Sequence, residues 1–138
     1  MTRVLVVDDD LILLKAINNI LNKGGYDVST AANGKEAMEK LETADYDLII
    51  TDIMMPYYNG LVVLSNIKSN PAKRHTKVIA ISSAGNPEIR NEAINLGAEE
   101  FMAKPIIPNY LLEVVKRHTS YKLQDISLVT RKPQMRGN

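Results

Sequence analysis

The sequence predicts a doubly wound α/β fold, five parallel strands covered on both faces by helices, and three observations carry that prediction. Short apolar runs rich in β-branched residues alternate with longer stretches whose apolar residues recur at helical spacing, the pattern of a parallel sheet under crossover helices. The strand ends are all polar, and in such sheets ligands bind outside the carboxyl ends of the strands. The 138 residues, 45% hydrophobic and 24% charged, suffice for one domain with its own core and are too few for two.

The first strand is Val4-Leu5-Val6-Val7, apolar throughout as a strand buried on both faces must be, and it stops at Asp8. Leu13, Leu14, Ile17, Ile20 and Leu21 then fall at helical core spacing, and Gly24-Gly25 supplies a left-handed stop. Tyr26 to Ala31 is a more polar strand suited to a sheet edge, and Asn33 with Glu36 forms a capping pair ahead of Ala37, Met38 and Leu41. The third strand, Leu48-Ile49-Ile50-Thr51, ends at Asp52. Met54 to Gly60 is a loop marked by Pro56, Asn59 and Gly60, and a helix follows from near Leu61 to Ser69-Asn70-Pro71. Val78-Ile79-Ala80-Ile81 is the fourth strand and ends at Ser82-Ser83. Asn86 as N-cap and Pro87 at the first helical position open a helix closed by Gly97. Glu100 to Ala103 is the fifth strand, Lys104-Pro105 turns the chain, and Pro108 starts the last helix, through Leu111, Leu112 and Val115 to about His118. The domain is thus 1–118. The remainder, 119–138, carries Lys122, Arg131, Lys132 and Arg136 against Asp125, a net +3 that leaves −2 on residues 1–118, and reads as a basic C-terminal tail or linker.

Composition narrows the function before any motif does. Seventeen Lys and Arg against sixteen Asp and Glu, net +1, supply no global field for nucleic acid or an anionic membrane, so direct DNA binding is not expected of this domain. The absence of Cys removes disulfides, thiolate metal sites and Cys nucleophiles, and fits a reducing compartment. No apolar run approaches the roughly 18–20 residues of a membrane span, and no secretory leader is visible, so a soluble cytoplasmic protein is the expectation.

With right-handed crossovers and the order 2-1-3-4-5, strands one, three and four lie side by side, and their ends bring Asp8, Asp9 and Asp52 into one crevice with Ser82 and Lys104. Three carboxylates in a partly dry pocket repel one another and call for a cation. All-oxygen ligands favour a hard one such as Mg2+, and Lys104 adds a second positive charge. Singly, each residue has an ordinary explanation: a loop carboxylate, a turn hydroxyl, a surface lysine. The joint pattern is what points to chemistry. Asp10 is assigned to capping the first helix, and a cis bond at Pro105 would aim Lys104 back at the crevice. His75 and His118 lack a matched ligand set and read as solvent-facing; Met38, Met54, Met55 and Met102 read as packing residues.

In this order and at these separations the residues resemble the receiver domains of two-component response regulators, from residue 3 to about 118. The elements are Val4 to Val7 with Asp8-Asp9, Ile49-Ile50-Thr51-Asp52-Ile53-Met54-Met55-Pro56 with Gly60, Ile79-Ala80-Ile81-Ser82-Ser83, Leu96-Gly97-Ala98, and Lys104-Pro105. The resemblance implies a flavodoxin-like fold and a signalling role: a phosphoryl group passes from the phosphohistidine of a sensor histidine kinase or phosphotransfer protein to an aspartate. Asp52 is then the phosphoacceptor. Asp9 and Asp52 bind Mg2+ directly, Asp8 acts partly through a water, and the backbone carbonyl of Met54 completes the protein ligands. Ser82 is the switch hydroxyl, Lys104 pairs with the phosphoryl group, and Phe101 is the aromatic switch. The surface of the fourth helix, fifth strand and fifth helix would then pass the signal to a downstream protein or output domain, with a homodimer left open. Such a domain catalyses only its own phosphorylation and dephosphorylation.

The departures are Asn59 where that family often has Asp, Ile106 where Phe is common, and Ile107 where an N-cap is usual, the last removing a hydrogen bond worth about 1 kcal/mol. Two other classes explain less. A haloacid dehalogenase-like phosphatase would use Asp8 and Asp10, but Leu11-Ile12 follows instead of its usual Thr or Val, and Asp52 and Lys104-Pro105 would have no role. An FMN-binding flavodoxin needs a Ser/Thr/Gly-rich phosphate loop where this chain has Asp8-Asp9-Asp10.

Overall fold

In the computed structural model, which describes residues 1–56, 58–83 and 87–119, β1 (Arg3–Val7), β3 (Leu48–Asp52) and β4 (Lys77–Ser82) form the middle of a five-stranded parallel sheet. Their all-apolar runs are buried from both sides: Val4 to Val7, Leu48 to Ile50 and Val78 to Ile81 have no exposed surface. The edges are β2 (Asp27–Ala31), which is half-polar, and the short β5 (Glu100–Ala103). The order β2-β1-β3-β4-β5 is the predicted one, and the fold is flavodoxin-like.

Alternate side chains of each strand point to opposite faces, so the helices divide between two cores. Leu5, Val7, Ile49, Val78 and Ala80 face α2 (Gly34–Thr43), α3 (Gly60–Ser69) and α4 (Pro87–Asn95). Val4, Val6, Leu48, Ile50, Ile79 and Ile81 face α1 (Leu11–Lys23) and α5, a helix over 108–119.

Helix starts follow the local chemistry. Asp10 caps α1, its carboxylate accepting from Ile12 N–H at 3.1 Å and Leu13 N–H at 3.2 Å. Asn33 caps α2 through Glu36 N–H at 2.8 Å, and Glu36 Oε1 returns a bond to Ala32 N–H at 3.1 Å, one residue earlier than the usual reciprocal partner. Asn59 caps α3 at Leu61 and Val62 N–H, which starts that helix at Gly60, one residue before the predicted Leu61. The residue departing from the family's Asp is therefore an equivalent cap. Asn86, the predicted cap of α4, lies outside the described residues. At the end of α1 the left-handed residue is Gly25, φ +93, while Gly24 stays helical. Ile107 does leave α5 without a side-chain cap, but Pro108 brings no N–H to satisfy and Leu111 N–H already bonds Ile107 O at 2.9 Å.

One expectation at the end of α5 is corrected. His118 is not solvent-facing: it continues the buried stripe of Leu111 and Val115, and its Nε2 lies 2.7 Å from Glu100 Oε1, beside an Arg117–Glu100 pair at 3.0 Å. Thr119 is buried inside α5, donating to Val115 O at 2.7 Å and meeting Tyr26 Oη at 3.2 Å, so the helix expected to end at about His118 runs through 119. His75 is exposed as read. The tail from residue 120 lies outside the described residues. Among those described, no helix is long and apolar enough to cross a membrane.

Candidate functional site

The parallel register sets the site. Val7 of β1 pairs with Thr51 of β3, so the next residue on each strand, Asp8 and Asp52, emerges beside the other at the carboxyl end of the sheet. Asp52 is 3% exposed and Asp8 is fully buried. Asp9, one residue on, is exposed. One carboxylate oxygen from each of Asp8, Asp9 and Asp52 lies within 4.8 Å of the others.

Lys104 closes the group from the β5 side. Ser82 pairs with Ala103, and Lys104 N–H donates to Ser82 O at 2.9 Å. The Lys104–Pro105 peptide is cis, and Lys104 Nζ reaches Asp8 Oδ2 at 3.0 Å and Asp52 Oδ2 at 3.3 Å. Burial pulls the lysine pKa down, but the close contact with Asp8 and the negative charges of Asp52 and Asp8 outweigh it and hold the ammonium above its ordinary value. Asp52 is pushed the other way for a carboxylate, up to about 6, first by burial and then by the negative charge of Asp8; Lys104 and the Met54 N–H, 3.3 Å from Asp52 Oδ1, offset only part of this.

One ammonium against three carboxylates leaves the group short of positive charge. Asp8 Oδ1 accepts from Asp10 N–H at 2.9 Å, whereas Asp8 Oδ2 is buried with no aligned hydrogen-bond donor and only the ion pair to Lys104 near it. A buried carboxylate oxygen without an aligned donor, in an all-oxygen cluster with one solvent-facing member, fits a hard divalent cation such as Mg2+.

The remaining predicted residues lie on β4, β5 and the loop after β3. Ser82, the last residue of β4, is fully buried. Phe101 is half-buried on the α2–α3–α4 side of the sheet, opposite Ala80 in the β4–β5 register. Met54 is 54% exposed, its backbone tied to Asp52. Asp10 does not join them. Its carboxylate is committed to the α1 cap and lies outside the acidic group, so the pairing of Asp8 with Asp10 that a haloacid dehalogenase-like site requires is not assembled; Asp8 is joined by Asp52 from β3 instead.

Two features had no reading in the sequence. Gly60 brings α3 against the end of β3: a Cβ there would overlap Asp52 O and lie 2.8 Å from Ile53 Cα. A glycine next to Asn59 reads as a turn residue, and its close approach is visible only once β3 and α3 meet. The second is an exposed apolar rim, Leu11 and Ile12 on α1, Met54, Ile107 and Tyr110, gathered at the same end of the sheet. These residues are far apart in the chain, and only the topology collects them.

Comparison with known proteins agrees with this geometry. The family described as the response regulator receiver domain matches residues 4–116. The chemotaxis protein CheY of Thermotoga maritima is 36% identical over 117 residues, covering 83% of this chain and 95% of that protein. The 3',5'-cyclic-nucleotide phosphodiesterase regA of Dictyostelium discoideum is 37% identical over 127 residues, 90% of this chain; the chain spans only 16% of that much longer protein. Among solved structures, the chemotaxis response regulator CheY4 of Vibrio cholerae superposes with a TM-score of 0.80 at 31% identity, covering 86% of this chain and 98% of that one.

Proposed function

The chain belongs to the response regulator receiver domain family, and from that premise we propose that it accepts a phosphoryl group on Asp52 from the phosphohistidine of a sensor histidine kinase or phosphotransfer protein in the cytoplasm. The observation that carries this reading is the meeting of Asp52 with Asp8, Asp9 and Lys104 at one end of the sheet.

Asp52, with a pKa of about 6, is largely ionised at neutral pH and serves as the nucleophile. Its oxygen bonds to phosphorus as the bond to the donor's imidazole nitrogen breaks, and the histidine departs. Lys104, already held between Asp8 and Asp52, turns its ammonium to a phosphoryl oxygen, and the Ser82 hydroxyl donates to another. Asp8, Asp9, Asp52 and the Met54 carbonyl would hold Mg2+, which supplies positive charge against the oxygens of the transferring group. The exposed rim of Leu11, Ile12, Met54, Ile107 and Tyr110 gives the donor an apolar landing around the acid.

The signal then leaves through packing. A phosphoryl oxygen that draws in Ser82 moves the end of β4, and the space vacated admits Phe101, which turns a charge change into a change of the α4–β5–α5 surface read by a downstream protein or output domain.

Incubation with acetyl phosphate and Mg2+ is expected to add one phosphoryl group to the parent and none to Asp52→Ala, and chelation is expected to stop the reaction. Amide shifts on adding beryllofluoride should concentrate at residues 82–104. Incorporation by Asp52→Ala, indifference to chelation, or shifts confined to α1 would each refute the proposal.

A second expectation concerns how long the phosphoryl group persists. Met54 is an exposed, flexible apolar chain beside Asp52, and Ala84, which lies outside the described residues, is equally unable to aim an attacking water. Met54→Asn with Ala84→Glu is expected to lose the phosphoryl group severalfold faster than the parent, since orienting the water removes part of the barrier. Decay at the parent's rate or slower would rule this out.

A further inference from the structure

We infer that Tyr58 is a positioning residue for this site, clamping the loop between β3 and α3 to both α2 and α3 so that Met54 is presented to the cation and the phosphoryl group in a fixed geometry. The inference rests on the reading of the acidic group as a Mg2+ and phosphoryl site.

The loop after Asp52 is tied at its start, where Ile53 N–H donates to Ile81 O of β4 at 2.9 Å and Met54 N–H to Asp52 Oδ1 at 3.3 Å. Met54 and Pro56 are exposed, and the backbone bonds Met55 N–H to Ile53 O (3.1 Å), Tyr58 N–H to Pro56 O (2.8 Å) and Gly60 N–H to Ile53 O (3.0 Å) all close within the loop and its own ends. Met55 anchors it downward into the core. Tyr58 supplies the lateral anchors. Its hydroxyl accepts a hydrogen bond from Asn66 Nδ2 on α3 at 3.0 Å. On the other side it lies against Gly34, the first residue of α2, so closely that a Cβ on Gly34 would overlap the Tyr58 carbonyl oxygen and lie 2.5 Å from ring carbon Cδ1. Tyr58 also borders a cavity of about 440 Å3 shared with Asp9 and Asn33. It thus spans from the solvent-facing acid of the site to α3.

The physical consequence is preorganisation. A loop that must be ordered when ligand arrives spends part of the binding free energy on its own lost freedom, whereas a loop already clamped does not. Residues that orient metal ligands without touching the metal commonly change metal affinity by about tenfold or more when removed. The hydroxyl and the ring make separable contributions, because Asn66 holds only the hydroxyl and Gly34 meets the ring and backbone.

Titration of the phosphoryl-free protein with Mg2+ alone, followed by amide NMR, tests this. Tyr58→Ala is expected to weaken Mg2+ binding about tenfold and to speed amide exchange at Met54 and Met55 in metal-free buffer, while Tyr58→Phe, which keeps the ring, stays within about threefold of the parent. Gly34→Ala, which forces Tyr58 outward without altering it, should weaken Mg2+ binding as Tyr58→Ala does. Tyr58→Leu carries the same expectation where the alanine variant does not fold. Leu21→Ala, a core truncation on the far face of the sheet, should reduce stability and leave Mg2+ affinity within twofold. Binding by Tyr58→Ala or Tyr58→Leu within twofold of the parent overturns the inference, as does an equal loss in Leu21→Ala. A parent chain that neither binds Mg2+ nor is phosphorylated on Asp52 overturns the underlying reading instead.

Discussion

Asp52→Asn, in metal-free buffer at about pH 7.5, is expected to be more stable than the parent chain by about 3 kcal/mol. The aspartate carries a pKa of about 6 in the folded protein against 3.8 for the free side chain, because it is buried and faces Asp8. The folded state therefore binds this proton more tightly than the unfolded state. The stability that follows is fully present below about pH 4 and is lost as the pH rises through about 6, so at neutral pH the folded protein holds an unfavourably placed charge. Asparagine has the shape of the neutral acid and cannot ionise, so the advantage of the variant should vanish near pH 4 and be complete above about pH 7. Denaturant unfolding of both proteins across that range measures it. Mg2+ should narrow the gap by stabilising the parent more than the variant, since the variant has lost one carboxylate of the three. An advantage independent of pH would show that the origin is not the ionisation of Asp52.

Gly60→Ala is expected to destabilise the protein by about 3 kcal/mol or more and to impair phosphorylation together with stability. The added carbon would overlap the carbonyl oxygen of Asp52 and lie 2.8 Å from Ile53 Cα, and both are backbone atoms fixed by the end of β3. Relief requires moving α3 or the phosphoacceptor itself, and the Gly60 N–H bond to Ile53 O at 3.0 Å resists the first. Gly25→Ala is the instructive contrast. That glycine has open space around it and a φ of +93, so its alanine variant meets only the backbone preference, about 1–2 kcal/mol. Equal losses at the two positions would mean that the loop after Asp52 yields more readily than its packing indicates.

The strands and their order were legible because their signals are local or topological. Runs such as Val4 to Val7 and Leu48 to Ile50 are apolar without alternation, which suits a strand covered on both faces, while the more polar Tyr26 to Ala31 suits an edge, and both fit the order found. Caps are equally local: Asp10 and Asn33 each satisfy amide groups within three residues of themselves, and Asn59, read only as a loop residue, does the same. The acidic group was legible for the same reason, since Asp8 and Asp52 end adjacent parallel strands and no side-chain detail is needed to bring them together.

What the amino-acid sequence determined by itself was therefore the framework and the types of group at its carboxyl end. Tertiary structure alone decided how those groups are held. It buried Asp8 completely and left one of its oxygens without an aligned donor, set Lys104 slightly nearer to Asp8 than to Asp52, drew His118 onto Glu100, and pressed Gly34 against Tyr58 and Gly60 against Asp52. Each of these is a contact between side chains or backbones that lie on different elements. Periodicity states which face of an element is apolar, but the distance across an interface depends on the volumes of all the side chains packed within it, and no local stretch of sequence contains that sum.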